Sequence, residues 1–316
     1  MTEKNQTHIT EIILLGFQSL NYWKVVLFIS LFIFYCVNIC GNLLIITLVS
    51  FCKNLHSPMY MFLVQLSICD ILLTTVIIPH TLTGVLGNGT VISFSGCISQ
   101  WYIFGGSEAS ECFILTAMAY DRYLAICNPL RYSSIMNMSL LEKLSILCWA
   151  LGFSITLVTT LSIATLDFCG PHIIDHFFCD LAPILRLSCS ETSQVKMEVA
   201  LLSIFVMIFP LGLTGASYGC IVQTILRMSS NVHRRKAFST CSSHLTVVCI
   251  FYGTLIVIYM LPTEGLSLSV SKSIALLYTV VTPMMNPIIY SLRNKDVKDA
   301  INICRNLPLA QRGSLH

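Results

Sequence analysis

Val25–Cys52 reads VVLFISLFIFYCVNICGNLLIITLVSFC, without a single Asp, Glu, Lys or Arg. A helix needs about 20 such residues to cross roughly 30 Å of hydrocarbon, and this stretch exceeds that length. Further uncharged stretches run Ile71–Ser107, Leu144–Leu166, Val199–Leu226, Ala237–Thr263 and Ser273–Leu292. Gly84, Gly87-Asn88-Gly89 and Gly96 punctuate the longest of them, which divides at 84–95 into the end of one helix and the start of another. That second helix continues through Glu108, Glu111 and Asp121-Arg122, because apolar residues persist between the charges. The expectation is an all-α membrane protein with seven transmembrane helices near 24–51, 57–84, 95–128, 141–165, 196–227, 237–262 and 271–292. Residues 1–23 precede the bundle and 293–316 form a tail.

Composition agrees. The 316 residues are 55% hydrophobic and 10% charged, where a soluble domain carries about 25% charged residues. Mean hydropathy is +0.78. These run lengths exclude transmembrane β-strands. With the N-terminus outside, segments 52–57, 121–143, 227–236 and 293–316 are cytoplasmic, and there lysines and arginines outnumber acids thirteen to four. The other side is net acidic through Asp167, Asp175, Asp180, Glu191 and Glu198. Positive charge inside sets the expected orientation, N-terminus extracellular and C-terminus cytoplasmic. The net charge of +3 carries no implication of nucleic-acid binding. Residues 1–23 lack a basic start followed by an apolar core, so no cleavable signal is expected. Asn5-Gln6-Thr7 is a glycosylation sequon on the outer side. Cys97, Cys169, Cys179 and Cys189 fall on the oxidising side, and four cysteines allow three pairings.

Charged residues within a membrane carry a functional hypothesis by default. Glu108, Glu111, Leu115, Met118 and Arg122 are spaced as one stripe of the third helix, facing the bundle interior. Glu108 lies about 21 Å along the axis from Arg122, too far for an ion pair. The acids therefore belong to an outer-half site and the arginine to the cytoplasmic end. Asp70 in the second helix is a further buried acid. Between Glu198 and Glu264, no Lys or Arg falls in the outer halves of helices five to seven to neutralise Glu108. No phosphate loop, His-Glu-x-x-His or Gly-x-Ser-x-Gly motif marks an enzyme. No internal repeat marks a transporter.

Met118-Ala119-Tyr120-Asp121-Arg122-Tyr123-Leu124-Ala125-Ile126-Cys127 is one of several ordered blocks. The others include Leu14-Leu15-Gly16-Phe17, Leu55-His56-Ser57-Pro58-Met59-Tyr60 and Lys236-Ala237-Phe238-Ser239-Thr240-Cys241-Ser242-Ser243-His244. Pro283-Met284-Met285-Asn286-Pro287-Ile288-Ile289-Tyr290 is the last long one. Together they resemble the odorant-receptor family of rhodopsin-like G-protein-coupled receptors, of the tetrapod type, from residue 5 to about 300. The resemblance implies a receptor for a small organic odorant, bound in the outer half. It further implies coupling to a stimulatory heterotrimeric G protein of the olfactory type, a rise in cyclic AMP, and a multi-pass plasma-membrane location, in sensory cilia. It also implies the disulfides Cys97–Cys179 and Cys169–Cys189. Asp121, Arg122, Tyr123, Tyr218, His244, Asn286, Pro287 and Tyr290 would form the activation switch, with Pro287 a hinge. The alternatives are a rhodopsin-like receptor for a non-odorant metabolite outside the nose, and a transporter. Covalent retinal is excluded by the absence of lysine from 273–292.

Candidate ligand contacts follow from position. They are Phe104, Gly105, Ser107 and Glu108 on the third helix, and Leu202, Ser203, Val206 and Met207 on the fifth. Tyr252, Leu255, Ile256 and Tyr259 follow on the sixth, and Thr279 on the seventh. The resemblance implies a small residue, commonly glycine, three before Glu111, so Glu108 departs from the family's usual pattern. A carboxylate there would favour amines, and a protonated one would donate to a neutral odorant. Asp70 and Glu111 would hold either a sodium ion, near Asn286, or a shared proton, and no other cofactor is expected. His172 and His176 could clamp a metal only if their loop were helical. Arg293–Cys304 reads as an amphipathic helix on the membrane surface, with Cys304 a candidate lipidation site.

Overall fold

The computed structural model describes residues 10–87, 89–169, 172–260 and 268–306. Among them seven long helices assemble into one bundle. α1 spans Lys24–Phe51, α2 Pro58–Leu86, α3 Phe94–Cys127 and α4 Met138–Ala164. α5 spans Ser193–Arg227 with a π-turn at Ile204–Ile208, and α6 spans Asn231–Met260. α7 is built from Leu268–Leu276, a π-turn Leu277–Val281 and Thr282–Arg293. α8, Lys295–Asn306, follows. Expected and observed helix limits agree within a few residues, except that α6 begins earlier than anticipated.

Local chemistry sets several of these limits. Ser57 precedes Pro58, which needs no amide donor at the first helical position. Ser93 Oγ accepts from Gly96 N at 3.0 Å and starts α3. Asn137 Oδ1 accepts from Leu140 N at 2.9 Å and starts α4.

α1, α2, α4, α5 and α7 are each long and apolar enough to cross a membrane, while α6 contributes a shorter apolar run, Cys241–Ile256. Only 22% of the most apolar window of α1 and 17% of that of α5 is buried inside the protein. Helices this apolar, left so uncovered by protein, need an apolar surrounding medium. α3 is the hub, packing on α2, α4 and α5 and reaching α6. Its approach to α4 is close: a Cβ on Gly152 would stand 2.6 Å from Ser110 N and 2.9 Å from Gly106 O. Small residues let backbones meet in this way where the hydrophobic effect does not drive association.

The all-α expectation needs one correction. Residues 11–14, 90–93 and 173–174 form a small sheet of order β2-β1-β3, where β1 is Glu11–Leu14, β2 Thr90–Ser93 and β3 Ile173–Ile174. β1 pairs antiparallel with β2 and parallel with β3. The segment before the bundle is thus the central strand of a cap over one end. Ile12 and Leu14 are its inward, buried residues, as the period of two requires.

Candidate functional site

The cap is pinned to α3. Cys97 at the start of α3 is disulfide-bonded to Cys179 (Cα–Cα 5.5 Å), and Cys169 to Cys189 (Cα–Cα 5.9 Å), the two pairs that the resemblance implied. Gln100 reinforces the first: its Oε1 accepts from Cys179 N at 2.8 Å and its Nε2 donates to Val76 O at 2.8 Å. Phe177 and Phe178 beside Cys179 are fully buried, and Phe17 stacks on Phe177 at 5.3 Å. Lys272, at the outer end of α7, donates to Asp175 Oδ1 at 2.5 Å and to Gly16 O at 2.6 Å. Gly16 has φ +61, a conformation that favours glycine.

Residues 172–180 form a short strand followed by bends rather than a helix, so His172 and His176 do not share a helical face. His172 is exposed, whereas His176 is buried against Phe177 and Phe178. Cys179 is committed to its disulfide. Among the described residues no cluster of three His, Cys, Asp or Glu could hold a metal, which overturns the metal-clamp expectation. Burial and then Lys272 push the His176 imidazole down to about 4. Burial raises Asp180, whose Oδ1 caps Leu181 N at 2.8 Å.

Beneath the cap lies a cavity of about 90 Å3. α3 contributes Trp101, Gly105, Glu108, Ala109 and Cys112, and α5 contributes Val199, Leu202, Ser203, Val206 and Met207. Ile155, Thr156 and Thr159 of α4 and Leu255 of α6 complete it. Seven sequence candidates therefore meet here: Gly105, Glu108, Leu202, Ser203, Val206, Met207 and Leu255. The others do not line it. Phe104 packs on Phe178 and Tyr278 instead. Ser107 is fully buried and its hydroxyl has no partner among the described residues. Tyr252 is buried with its hydroxyl 3.4 Å from Cys112 O, and Thr279 bonds back to Ala275 O at 2.8 Å. Ile256 is 43% exposed, because one further residue along α6 rotates it about 100° away from Leu255. The side chain of Tyr259 and the sequon Asn5 lie outside the described residues.

The contribution of α4 was missed. Its signal is Thr156 and Thr159 in an apolar helix, but these hydroxyls serve the helix itself, donating to Gly152 O and Thr156 O. Among the described lining residues, Glu108 and Ser203 make no hydrogen bond or ion pair, and the buried Trp101 Nε1 also has no partner. Glu108 is the only charged residue on this surface.

Deeper in the bundle, Asn286 of α7 bridges both buried acids. Its Nδ2 donates to Asp70 Oδ1 at 3.0 Å, Asp70 Oδ2 at 3.1 Å and Glu111 Oε1 at 3.1 Å. Asn38 and Thr74 extend the polar core, Asn38 Nδ2 donating to Thr74 Oγ1 at 2.6 Å and Thr74 Oγ1 to Asp70 O at 2.7 Å. Ser67, one turn from Asp70, has a buried hydroxyl without a partner among the described residues. Two carboxylates around one amide repel when both are ionised, so the group calls for a cation or a proton. Its oxygen donors suit a hard cation.

At the other end of α3, Arg122 pairs with its neighbour: Nε and Nη2 reach Asp121 Oδ2 at 2.9 and 2.5 Å. Tyr132, in the turn between α3 and α4, donates to Asp121 Oδ1 at 2.8 Å. Both carboxylate oxygens are thereby engaged. Tyr218 lies 2.6 Å from His244 Nδ1, joining α5 to α6, and does not contact Arg122. Tyr290 is fully buried with its hydroxyl unpartnered among the described residues. Tyr123 is half-buried beside Tyr120, and Pro287 lies inside α7. Tyr132, Asn38, Gln100 and the Lys272–Asp175 pair were not anticipated, because each matters through a residue distant in sequence.

An apolar helix bundle with a capped cavity, a buried polar core and an arginine–aspartate pair at the far end has the frame of a membrane receptor. Comparison with known proteins specifies it. A family model described as Olfactory receptor matches residues 31–306. The chain is 47% identical over 301 residues to human Olfactory receptor 11L1, covering 95% of this chain and 94% of that one. It is 46% identical to human Olfactory receptor 10A7, covering 94% of each, and 45% identical to mouse Olfactory receptor 6B9, again covering 94% of each. The chain belongs to the olfactory receptor family, and it is a receptor rather than an enzyme.

Proposed function

We propose that this receptor binds a small odorant in the cavity beneath the cap, with Glu108 as its polar anchor and amines as the preferred class. The observation that carries this is Glu108: among the described lining residues it is the charged one, and it has no hydrogen bond or ion pair there, on a mostly apolar surface. An ammonium ligand would supply the missing counter-charge through a charge-assisted hydrogen bond. The cavity is smaller than the ~150 Å3 that holds benzene in an apolar protein interior. That favours short-chain ligands, with larger ones requiring the flexible Met207 and Leu202 side chains to move.

In this reading the seven helices cross the plasma membrane with the N-terminus outside, and the membrane-surface role of α8 follows. The resting state is held by the Asp121–Arg122 pair with Tyr132, and by Asn286 between Asp70 and Glu111. A sodium ion held by Asp70 and Glu111, with Ser67 in reach, would neutralise that pair; a shared proton is the competing occupant. Ligand binding would draw α5 and α6 relative to α3, free Arg122 and admit a stimulatory heterotrimeric G protein of the olfactory type, raising cyclic AMP in sensory cilia.

The test is the cyclic-AMP response to amines, alcohols and acids of matched carbon skeleton, in cells with surface expression measured. Amine-selective responses are expected. Responses independent of the head group would return Glu108 to a structural role. The second reading, a protonated Glu108 donating to a neutral oxygen, rests on its burial near Asp180 and would show as alcohols or ketones outperforming amines.

A further inference from the structure

A second cavity stands apart from the one beneath the cap. It is an open groove of about 730 Å3 between α2 and the first half of α4. Its wall is built by Met61 and Gln65 of α2 and by Glu142, Ile146, Trp149 and Phe153 of α4. From Glu142 to Phe153 is about 16 Å along the helix, close to the ~15 Å hydrocarbon depth of one leaflet. Its floor is fixed: Trp149 Nε1 donates to Gln65 Oε1 at 2.9 Å, and the Trp149 and Phe153 rings stack at 5.8 Å.

Its polar end carries the second observation. Glu142 is exposed and makes no hydrogen bond or ion pair among the described residues, and Lys143 beside it is also exposed. The end of the bundle bearing this pair is rich in lysine and arginine, so an unpaired acid at the mouth of an apolar groove is out of keeping with its surroundings. Glu142 lines the groove, and Lys143, one residue on, points to its flank.

We propose that this groove binds a phospholipid with a primary-amine headgroup, of the phosphatidylethanolamine type. One acyl chain lies along Ile146, Trp149 and Phe153, the ammonium donates to Glu142, and the phosphate faces Lys143. A primary ammonium can donate a short charge-assisted hydrogen bond to a carboxylate, whereas the methylated ammonium of phosphatidylcholine has no N–H to give. The preference for the amine therefore resides in Glu142, and the groove supplies the apolar contact. The groove lies nearer the start of α4 than Ile155, Thr156 and Thr159 and shares no lining residue with the cavity beneath the cap.

The experiment uses the full receptor in nanodiscs of phosphatidylcholine containing a trace of acyl-diazirine phosphatidylethanolamine or acyl-diazirine phosphatidylcholine. Crosslinked peptides are mapped by mass spectrometry without any odorant, so the outcome is independent of the ligand reading. The expected result is labelling of residues 145–153 at least severalfold stronger with the ethanolamine probe, reduced by unlabelled phosphatidylethanolamine and equalised between probes by Glu142→Gln. Glu142 is exposed, so that variant leaves the fold intact. Equal labelling by both probes in the unaltered receptor would mean ordinary boundary lipid and would overturn the proposal. So would a preference that survives Glu142→Gln, or more effective competition by cholesterol.

Discussion

Lys272 is buried beneath the cap and holds two partners, Asp175 and the Gly16 carbonyl. Replacing it with methionine keeps its apolar stem but leaves Gly16 O unpaired. The expected cost is about 1–2 kcal/mol, discounted because the Asp175 side chain is 43% exposed. A thermal-shift measurement on purified receptor should show the loss, and an unchanged melting temperature would mean that Lys272 does not latch the cap. His176 makes a pH prediction. Its pKa is about 4 in the folded cap, against an ordinary value of 6.5, so the opened cap binds the proton more tightly. Cap stability is then complete above pH 6.5 and falls as pH drops toward 4. Limited proteolysis at pH 7.5 and 5 should detect the opening, and His176→Phe should flatten the slope. At this scale the stripe from Glu108 to Arg122 was legible, since helical spacing alone aligns it. The histidine pair was not, because four-residue spacing means one face only in a helix, and this loop is not helical.

Between elements, α1 and α7 approach closely at Gly41, where a Cβ would stand 3.0 Å from Pro287 Cβ. Gly41→Val would force these helices apart at the hinge proline, at a cost of about 1–3 kcal/mol. Reduced surface expression and thermal stability are expected, while Gly219→Ala, with open space around it, should leave both unchanged. The turn between α3 and α4 contributes Tyr132, whose hydroxyl holds Asp121 in its pair with Arg122. Tyr132→Phe removes one hydrogen bond to a charged group, worth about 1.5 kcal/mol. Ligand-free cyclic AMP should rise, by up to about tenfold; a basal level equal to the parent's would show that Tyr132 does not restrain Arg122. The helices were readable because an uncharged run of membrane length finds enough apolar cover only in a bilayer. The strands were not. β1 and β2 are four residues each, too short for alternation to stand out, and their pairing depends on a third segment some 80 residues further on.

For the whole molecule, the bundle positions one unpaired carboxylate beneath a stapled cap and one paired arginine at the opposite end, with Asn286 between two acids along the way. The cavity beneath the cap was half legible. Position along α3 and α5 brought several candidates to it, whereas a one-face reading of α6 did not settle which residues turn inward, and Leu255 lines the cavity while Ile256 does not. Everything proposed for recognition turns on Glu108 meeting the ligand as an ion. A cycle crossing one ligand change with one residue change isolates that contact: half-maximal concentrations for a short primary amine and its isosteric alcohol, on the receptor and on Glu108→Gln, at matched surface expression. The mutation should weaken the amine by about 10–100-fold, the 1.5–3 kcal/mol of a charged hydrogen bond, while the alcohol changes little. Equal changes for both ligands would contradict an ionic contact at Glu108.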